Sequence, residues 1–159
     1  MIEPLKSLLN LNEASTQTKR KPLVVAAIPA FNVERTIAKL VLETQKHADV
    51  VLVCDDGSTD MTAEIAKGLG ADVISHKQNR GYGAAIKTLF VTARELNADV
   101  LVTLDGDGQH NPNEIPKLIK PVLEDEADIV LGSRFLKSDT KNNNVPRYRR
   151  LGIKLISRL

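Results

Sequence analysis

Two short acidic stretches carry most of the chemistry this chain can offer. "LDGDGQH" (Leu104–His110) sets Asp105 and Asp107 two apart, with only Gly106 between them. In an extended strand, alternate side chains share a face but stay about 7 Å apart, so a glycine that lets the backbone turn is what allows two such carboxylates to converge. Together with the amide oxygen of Gln109 they would make a hard oxygen site suited to Mg²⁺ or Mn²⁺, with positions left open for substrate phosphates. The plainer alternative is an Asp-Gly turn held by its own side-chain hydrogen bonds. His110 could add a ligand, against a capping or surface role.

The second stretch, "CDDGSTD" (Cys54–Asp60), places Asp55 and Asp56 side by side after the apolar run "DVVLV". Adjacent like charges need donors, and ribose hydroxyls, a base N–H or the amides of the Gly57–Ser58 turn would all serve. Ser58, Thr59 and Asp60 are candidates to cap the helix that follows. Arg134, in "GSRF" (132–135), can grip phosphate oxygens in bidentate fashion. "NRGYGAA" (79–85) is not the dinucleotide fingerprint, because it follows a third strand and lacks the third glycine. It is expected to open a helix and let that helix approach the sheet closely.

Such groups must be positioned by a frame, and the frame is periodic. "LVVAAI" (23–28), "DVVLVC" (49–54), "ADVIS" (71–75), "DVLVTL" (99–104) and "DIVLG" (128–132) predict five strands. Between them, Val33, Ile37, Leu40 and Val41 fall at helical spacing, as do Ile65, Ala66 and Leu69. A third helix, about 84–96, is expected to turn Ile86, Leu89, Phe90 and Ala93 inward, and "EIPKLIKPVL" predicts a fourth. This alternation predicts an α/β fold: a doubly wound, mostly parallel sheet with helices on both faces. Ligands of such sheets bind beyond the carboxyl ends of the strands. "PAFN", "DDGSTD", "DGDGQH" and "GSRF" all fall there.

The 159 residues suffice for one domain with a real core, and 42% hydrophobic and 26% charged residues describe a globular chain. Aromatic residues make up only 3%, which argues against base-stacking platforms and so against a nucleic acid partner. The net charge of +2 is unevenly spread: seven Lys/Arg against one acid give residues 136–159 a charge of +6, leaving −4 on residues 1–135. The basic end, "VPRYRRLGIKLISRL", intersperses Leu151, Ile153, Leu155, Ile156 and Leu159 with Arg and Lys. That pattern suits a helix on an anionic membrane surface, or one packed on the domain with its basic face in water. Cys54 is the only cysteine, which excludes an intrachain disulfide, suggests a reducing compartment and predicts a small core residue. The first residues have no signal-peptide pattern, and no run approaches the ~18 apolar residues of a membrane span. Three segments are expected: a leader and linker (1–22), the site-bearing domain (23–135) and the basic amphipathic segment (136–159).

Taken in order, "IPAFN…CDDGSTD…NRGYGAA…LDGDGQH…GSRF" resembles the family 2 inverting glycosyltransferases of GT-A fold. Among them it is most similar to the polyprenyl (dolichyl) phosphate hexose synthases that transfer mannose or glucose. The resemblance spans about 23–159. It implies that Pro29, Ala30, Phe31 and Asn32, with Asp55 and Asp56, embrace the nucleoside of a UDP- or GDP-hexose. It implies that Asp105-Gly106-Asp107 holds Mg²⁺ or Mn²⁺ on the diphosphate, with Gln109 as third ligand and Asp107 and Arg134 as the catalytic pair. Ser133, Arg134 and Arg147 would meet the acceptor phosphate. The family's first motif commonly has Glu directly after Asn; here Val33 intervenes, so Glu34 carries over weakly. The family also implies a place on the cytoplasmic face of a membrane and a longer protein continuing beyond Leu159.

The residues agree on mechanism. A departing nucleoside diphosphate needs its charge neutralised, which a carboxylate-held metal and an arginine can do. A hydroxyl acceptor would need a general base. After "GSRF" only Asp139 is available, while Glu124, Asp125, Glu126 and Asp128 precede the fifth expected strand. A phosphate acceptor is already anionic and needs no base, which favours a polyprenyl phosphate. Three alternatives compete. A haloacid dehalogenase-type phosphatase would want Thr or Val where Gln109 stands. A sugar-nucleotide pyrophosphorylase would want a basic glycine-rich loop after the first strand. The third is a non-catalytic nucleotide-binding or membrane-docking scaffold.

Overall fold

The computed structural model describes residues 20–133. Four strands form one parallel sheet in the order β3-β2-β1-β4: β1 Val24–Ala30, β2 Val50–Asp55, β3 Asp72–Ser75 and β4 Val100–Thr103. The helices are α1 Glu34–Thr44, α2 Thr62–Gly68, α3 Tyr82–Glu95 and α4 Ile115–Leu123, the last preceded by a 3-10 turn, Pro112–Glu114.

β1 is buried at all seven positions because both of its faces are covered. Val24, Ala26, Ile28 and Ala30 point to one face, where Ile37, Leu40 and Val41 of α1, Ala66 of α2 and Ile115 and Ile119 of α4 pack against them. Val25 and Ala27 point to the other face, where Ala85, Leu89 and Ala93 of α3 cover them together with Leu52 and Cys54. The spacing of those three residues puts them on one stripe of α3. Burial of a side chain such as Leu89 is worth about 2 kcal/mol. The doubly wound frame is therefore as expected among the described residues, and Cys54 is a core residue, fully buried.

Pro29 in a central strand would ordinarily cost a ladder hydrogen bond. Here the β1–β4 pairing ends at Ala27↔Thr103, so the edge of Pro29 that lacks an N–H faces a strand that has already stopped. At the opposite end of the sheet Asp49 and Asp99 accept the amides of Val24 and Leu23, which pins the start of β1.

Three expectations fail. No strand forms at 128–132: the amides of Glu126 and Ala127 turn back to the Pro121 carbonyl, and Ile129 and Leu131 are exposed. An alternating apolar run becomes a strand only where a ladder partner exists, and it has none among the described residues. Phe90 points outward from α3, 54% exposed, because Ala85, Leu89 and Ala93 already fill the stripe against the sheet. Gly83 is not needed for close packing, since an added Cβ there would meet nothing within 4 Å. Residues 1–19 and the whole 136–159 segment lie outside the described residues, so the structure does not address the leader or the basic amphipathic helix.

Candidate active site

After β3 the chain crosses through α3 to the far side of β1, so the winding reverses between β1 and β4. A crevice opens at such a switch point. Here it is a cleft of about 420 Å³ lined by Pro29, Val33, Tyr82, Asp105, Gly106 and Asp107. Gly106 is required by proximity: a Cβ on it would lie 2.8 Å from the Pro29 carbonyl oxygen. The Thr36 hydroxyl donates to the Gly106 carbonyl at 2.7 Å, tying the acidic turn to α1. The Gln109 amide donates to Asp107 Oδ1 at 2.9 Å, and Gly108 takes φ +74° to complete the turn.

Asp105 is half exposed and held from two sides. Tyr82 donates its hydroxyl to Oδ1 at 3.3 Å, and His110 stands with Nε2 3.6 Å from Oδ2. His110 Nδ1 also accepts the Asp105 amide at 3.1 Å, so His110 braces the loop, while Asn111 provides the side-chain cap of the 3-10 turn. Partial burial and the neighbouring Asp105 charge push the Tyr82 phenol above its ordinary value, which keeps it a donor.

Asp105 and Asp107 thus line one cleft. No group of three or more His, Cys, Asp and Glu that could hold a metal occurs among the described residues. Two carboxylates without a protein cage fit an ion of the Mg²⁺ kind, which keeps waters and completes its sphere with substrate phosphates.

The adjacent aspartates of "CDDGSTD" are arranged differently. Both are buried, Asp55 4% and Asp56 3% exposed. Asp55 Oδ1 accepts the Ser58 amide, three residues on, at 3.1 Å, which holds the turn after β2. Asp56 accepts from His76 Nδ1 at 2.6 Å, the Arg80 amide at 3.0 Å and the Gly81 amide at 2.7 Å. Burial pushes the Asp56 carboxyl up, but these donors outweigh it and hold the group below the ordinary carboxylate range. Asp56 is therefore already supplied with donors by the chain itself. Gly57, at φ +75°, has the 78–79 backbone where a Cβ would stand, 2.5 Å from the Gln78 carbonyl carbon.

"PAFN" is split by the end of β1. Pro29 and Ala30 are buried in the strand, and Phe31 emerges 45% exposed. Asn32 takes φ +52°; its amide donates to the Ser58 hydroxyl and its Oδ1 accepts the Thr59 amide. Glu34 Oε2 accepts the Met61 amide while Asp60 accepts those of Glu34 and Thr62, so these two acids cap each other's helices. Glu34 is thereby turned to the start of α2. Ser133 is described and exposed; Arg134 and Arg147 lie outside the described residues.

His76 and Tyr82 were not among the candidate residues read from the sequence. His76 directly follows β3, and Tyr82 is the middle residue of the Gly-x-Gly that opens α3.

A parallel four-stranded sheet flanked by helices, with an acid-bearing cleft at its switch point, has the α/β architecture of the GT-A glycosyltransferases. Residues 25–158 match glycosyl transferase family 2, and the chain belongs to that family. It is 36% identical over 148 residues to a UDP-N-acetylglucosamine–dolichyl-phosphate N-acetylglucosaminyltransferase of Methanococcus voltae, covering 82% of this chain and 59% of that protein. It is 33% identical over 136 residues to a dolichol-phosphate mannosyltransferase of Pyrococcus furiosus, covering 80% of this chain and 37% of that one. Glucosyl-3-phosphoglycerate synthase of Mycobacterium tuberculosis, solved with Mn²⁺, UDP and its product, matches with a TM-score of 0.54 and 29% identity over 64% of this chain and 40% of that one. The chain spans about half the length of the first curated relatives it matches.

Proposed function

We propose that this chain carries the donor half of a metal-dependent, inverting glycosyltransferase that moves a hexose from a UDP- or GDP-sugar to a polyprenyl or dolichyl phosphate. The observation that carries the proposal is the switch-point cleft, where Asp105 and Asp107 stand open to solvent against the end of β1. Relatives named as dolichyl-phosphate sugar transferases and a neighbour bearing UDP and Mn²⁺ support it.

In this reading Asp105 and Asp107, with Gln109 beside them, would hold Mg²⁺ or Mn²⁺, which supplies charge neutralisation to the departing diphosphate. Tyr82 and His110 keep the Asp105 carboxylate oriented. Phe31 and Asn32 border the nucleoside position together with Asp55, and Asp56 holds the 79–81 loop that closes its side. Ser133, Arg134 and Arg147 are assigned the acceptor phosphate, whose own charge makes a general base unnecessary. That acceptor places the enzyme at a membrane surface, on its cytoplasmic face. No helix among the described residues is long and apolar enough to cross a membrane.

Calorimetric titration of UDP and GDP, each with and without Mn²⁺, on this chain and on Asp107→Ala tests the donor site. Binding of one nucleotide that needs both the metal and Asp107 supports the proposal and identifies the base. No binding under any condition sinks it. Binding without transfer of labelled sugar to polyprenyl phosphate would favour a nucleotide-binding scaffold.

A further inference from the structure

His76 and Asp56 form a buried hydrogen-bonded pair, their side chains 6% and 5% exposed. His76 directly follows β3 and Asp56 directly follows β2. With the carboxylate ionised, His76 Nδ1 carries the donated proton, and Nε2 lies 2.9 Å from the Thr88 hydroxyl of α3 and 3.7 Å from Cys54 Sγ. The imidazole is thus gripped at both nitrogens by different elements.

The far side of Asp56 leads to the cleft. Its oxygens receive the amides of Arg80 and Gly81, the last two residues before α3, and Gly81 takes φ +90° at the start of that helix. Tyr82, the first residue of α3, reaches Asp105 with its hydroxyl. One continuous series of contacts therefore runs from β3 through the end of β2 and the 79–81 loop to the carboxylate at the end of β4. The packing of Gly57 on the 78–79 backbone leaves the loop little slack to adopt another path.

We propose that His76 is a positioning residue of the donor site. By fixing Asp56 it fixes the Arg80 and Gly81 amides, and through them the placement of Tyr82 on Asp105. It touches neither donor nor metal in this role. The inference rests on the donor reading above only in its final link, from Asp105 to nucleotide; the links from His76 to Gly81 belong to the free protein.

The amides of Asn and Gln distinguish the two imidazole nitrogens, because Asn reaches about as far as Nδ1 and Gln about as far as Nε2. The test compares His76→Ala, His76→Asn and His76→Gln with the unaltered chain. In the absence of ligand, amide hydrogen exchange is read at Arg80 and Gly81. With Mn²⁺ present, calorimetry gives the affinity for UDP or GDP, whichever the unaltered chain binds. Ala and Gln should speed exchange at both amides and weaken nucleotide binding on the order of tenfold, the scale seen when an outer-shell partner is lost, and Asn should restore both. Thr88→Val, which keeps the imidazole and removes the hydroxyl at Nε2, should give a smaller change in the same direction. Should the Ala variant fail to fold, the contrast between Asn and Gln decides.

Unchanged exchange in the Ala or Gln variants overturns the inference, as does an Asn variant that folds yet behaves like Gln. Faster exchange with undiminished affinity overturns it too, by making His76 a support of the loop alone. If the unaltered chain binds no nucleotide, the donor reading fails and takes the last link with it, whereas exchange at Arg80 and Gly81 still tests the rest.

Discussion

The two acidic turns differ in what surrounds them. Asp55 ends β2 and Asp56 follows it, both in the interior, and Asp56 alone receives three donors from the chain. Asp105 and Asp107 follow β4 at the surface, where Asp105 meets a tyrosine hydroxyl and a histidine, and Asp107 one amide. Both turns begin as carboxylates after an apolar strand, so residue type does not separate them. The difference lies in burial, which takes in both Asp55 and Asp56, and in the three donors that the fold supplies to Asp56. A saturated carboxylate holds structure together; an unsaturated one at a cleft mouth remains available to a ligand.

That contrast can be broken most decisively by removing one acid from each turn. Asp56→Ala leaves His76 and two amides without their acceptor inside the protein and should cost about 3–5 kcal/mol in urea unfolding. Asp107→Ala should leave stability within about 0.5 kcal/mol, as for an exposed substitution, while weakening metal-dependent nucleotide binding about a hundredfold. Equal losses of stability in the two variants would erase the distinction.

Gly57→Ala should destabilise by at least about 2 kcal/mol, because its φ of +75° is unfavourable to alanine and the new Cβ meets the 78–79 backbone. Acid sharpens the comparison further. Asp56 is held below its usual value of 3.8, so its contribution to stability is complete above that pH and is lost as pH falls through its lowered value in the folded state. The stability gap between the unaltered chain and Asp56→Asn, followed by thermal melts from pH 6 to pH 2, should therefore narrow below about pH 3.8. The smallest effect is expected from Tyr82→Phe, which deletes one half-exposed hydrogen bond and should weaken Mn²⁺ binding by about threefold to tenfold, measured by electron paramagnetic resonance of the free ion.

Much of the frame was legible because periodicity is local. The run "LVVAAI" announced a strand buried on both faces, and Ile37, Leu40 and Val41 announced the stripe of α1 that covers it. "LDGDGQH" was legible as a glycine-bearing turn, and the Gln109 amide on Asp107 is the side-chain hydrogen bond that the plainer reading of it named. What failed depended on partners remote in sequence. "DIVLG" has the pattern of a strand, but a strand also requires a neighbour. Phe90 was expected in the core on hydrophobicity, yet the small Ala85 and Ala93 on the adjacent stripe set how closely α3 approaches the sheet. The three donors that Asp56 receives were equally out of view: they come from 76–81, beyond an intervening helix and strand. His76 was missed for the same reason.

The register of β1 bears on the order in which this sheet is made. Along one edge β1 pairs with β2, Val25 with Val50; along the other it pairs with β4, Val24 with Val100. A chain emerging from the ribosome can assemble β1, β2 and β3, with the His76–Asp56 couple, before β4 exists. The cleft can close only when the most distant strand docks and Gly106 settles against Pro29. Pairings separated this far in sequence are the slow ones in folding. The cleft would thus be the last feature of the sheet to mature, and until then the open edge of β1 is the surface that a chaperone or a second nascent chain would meet.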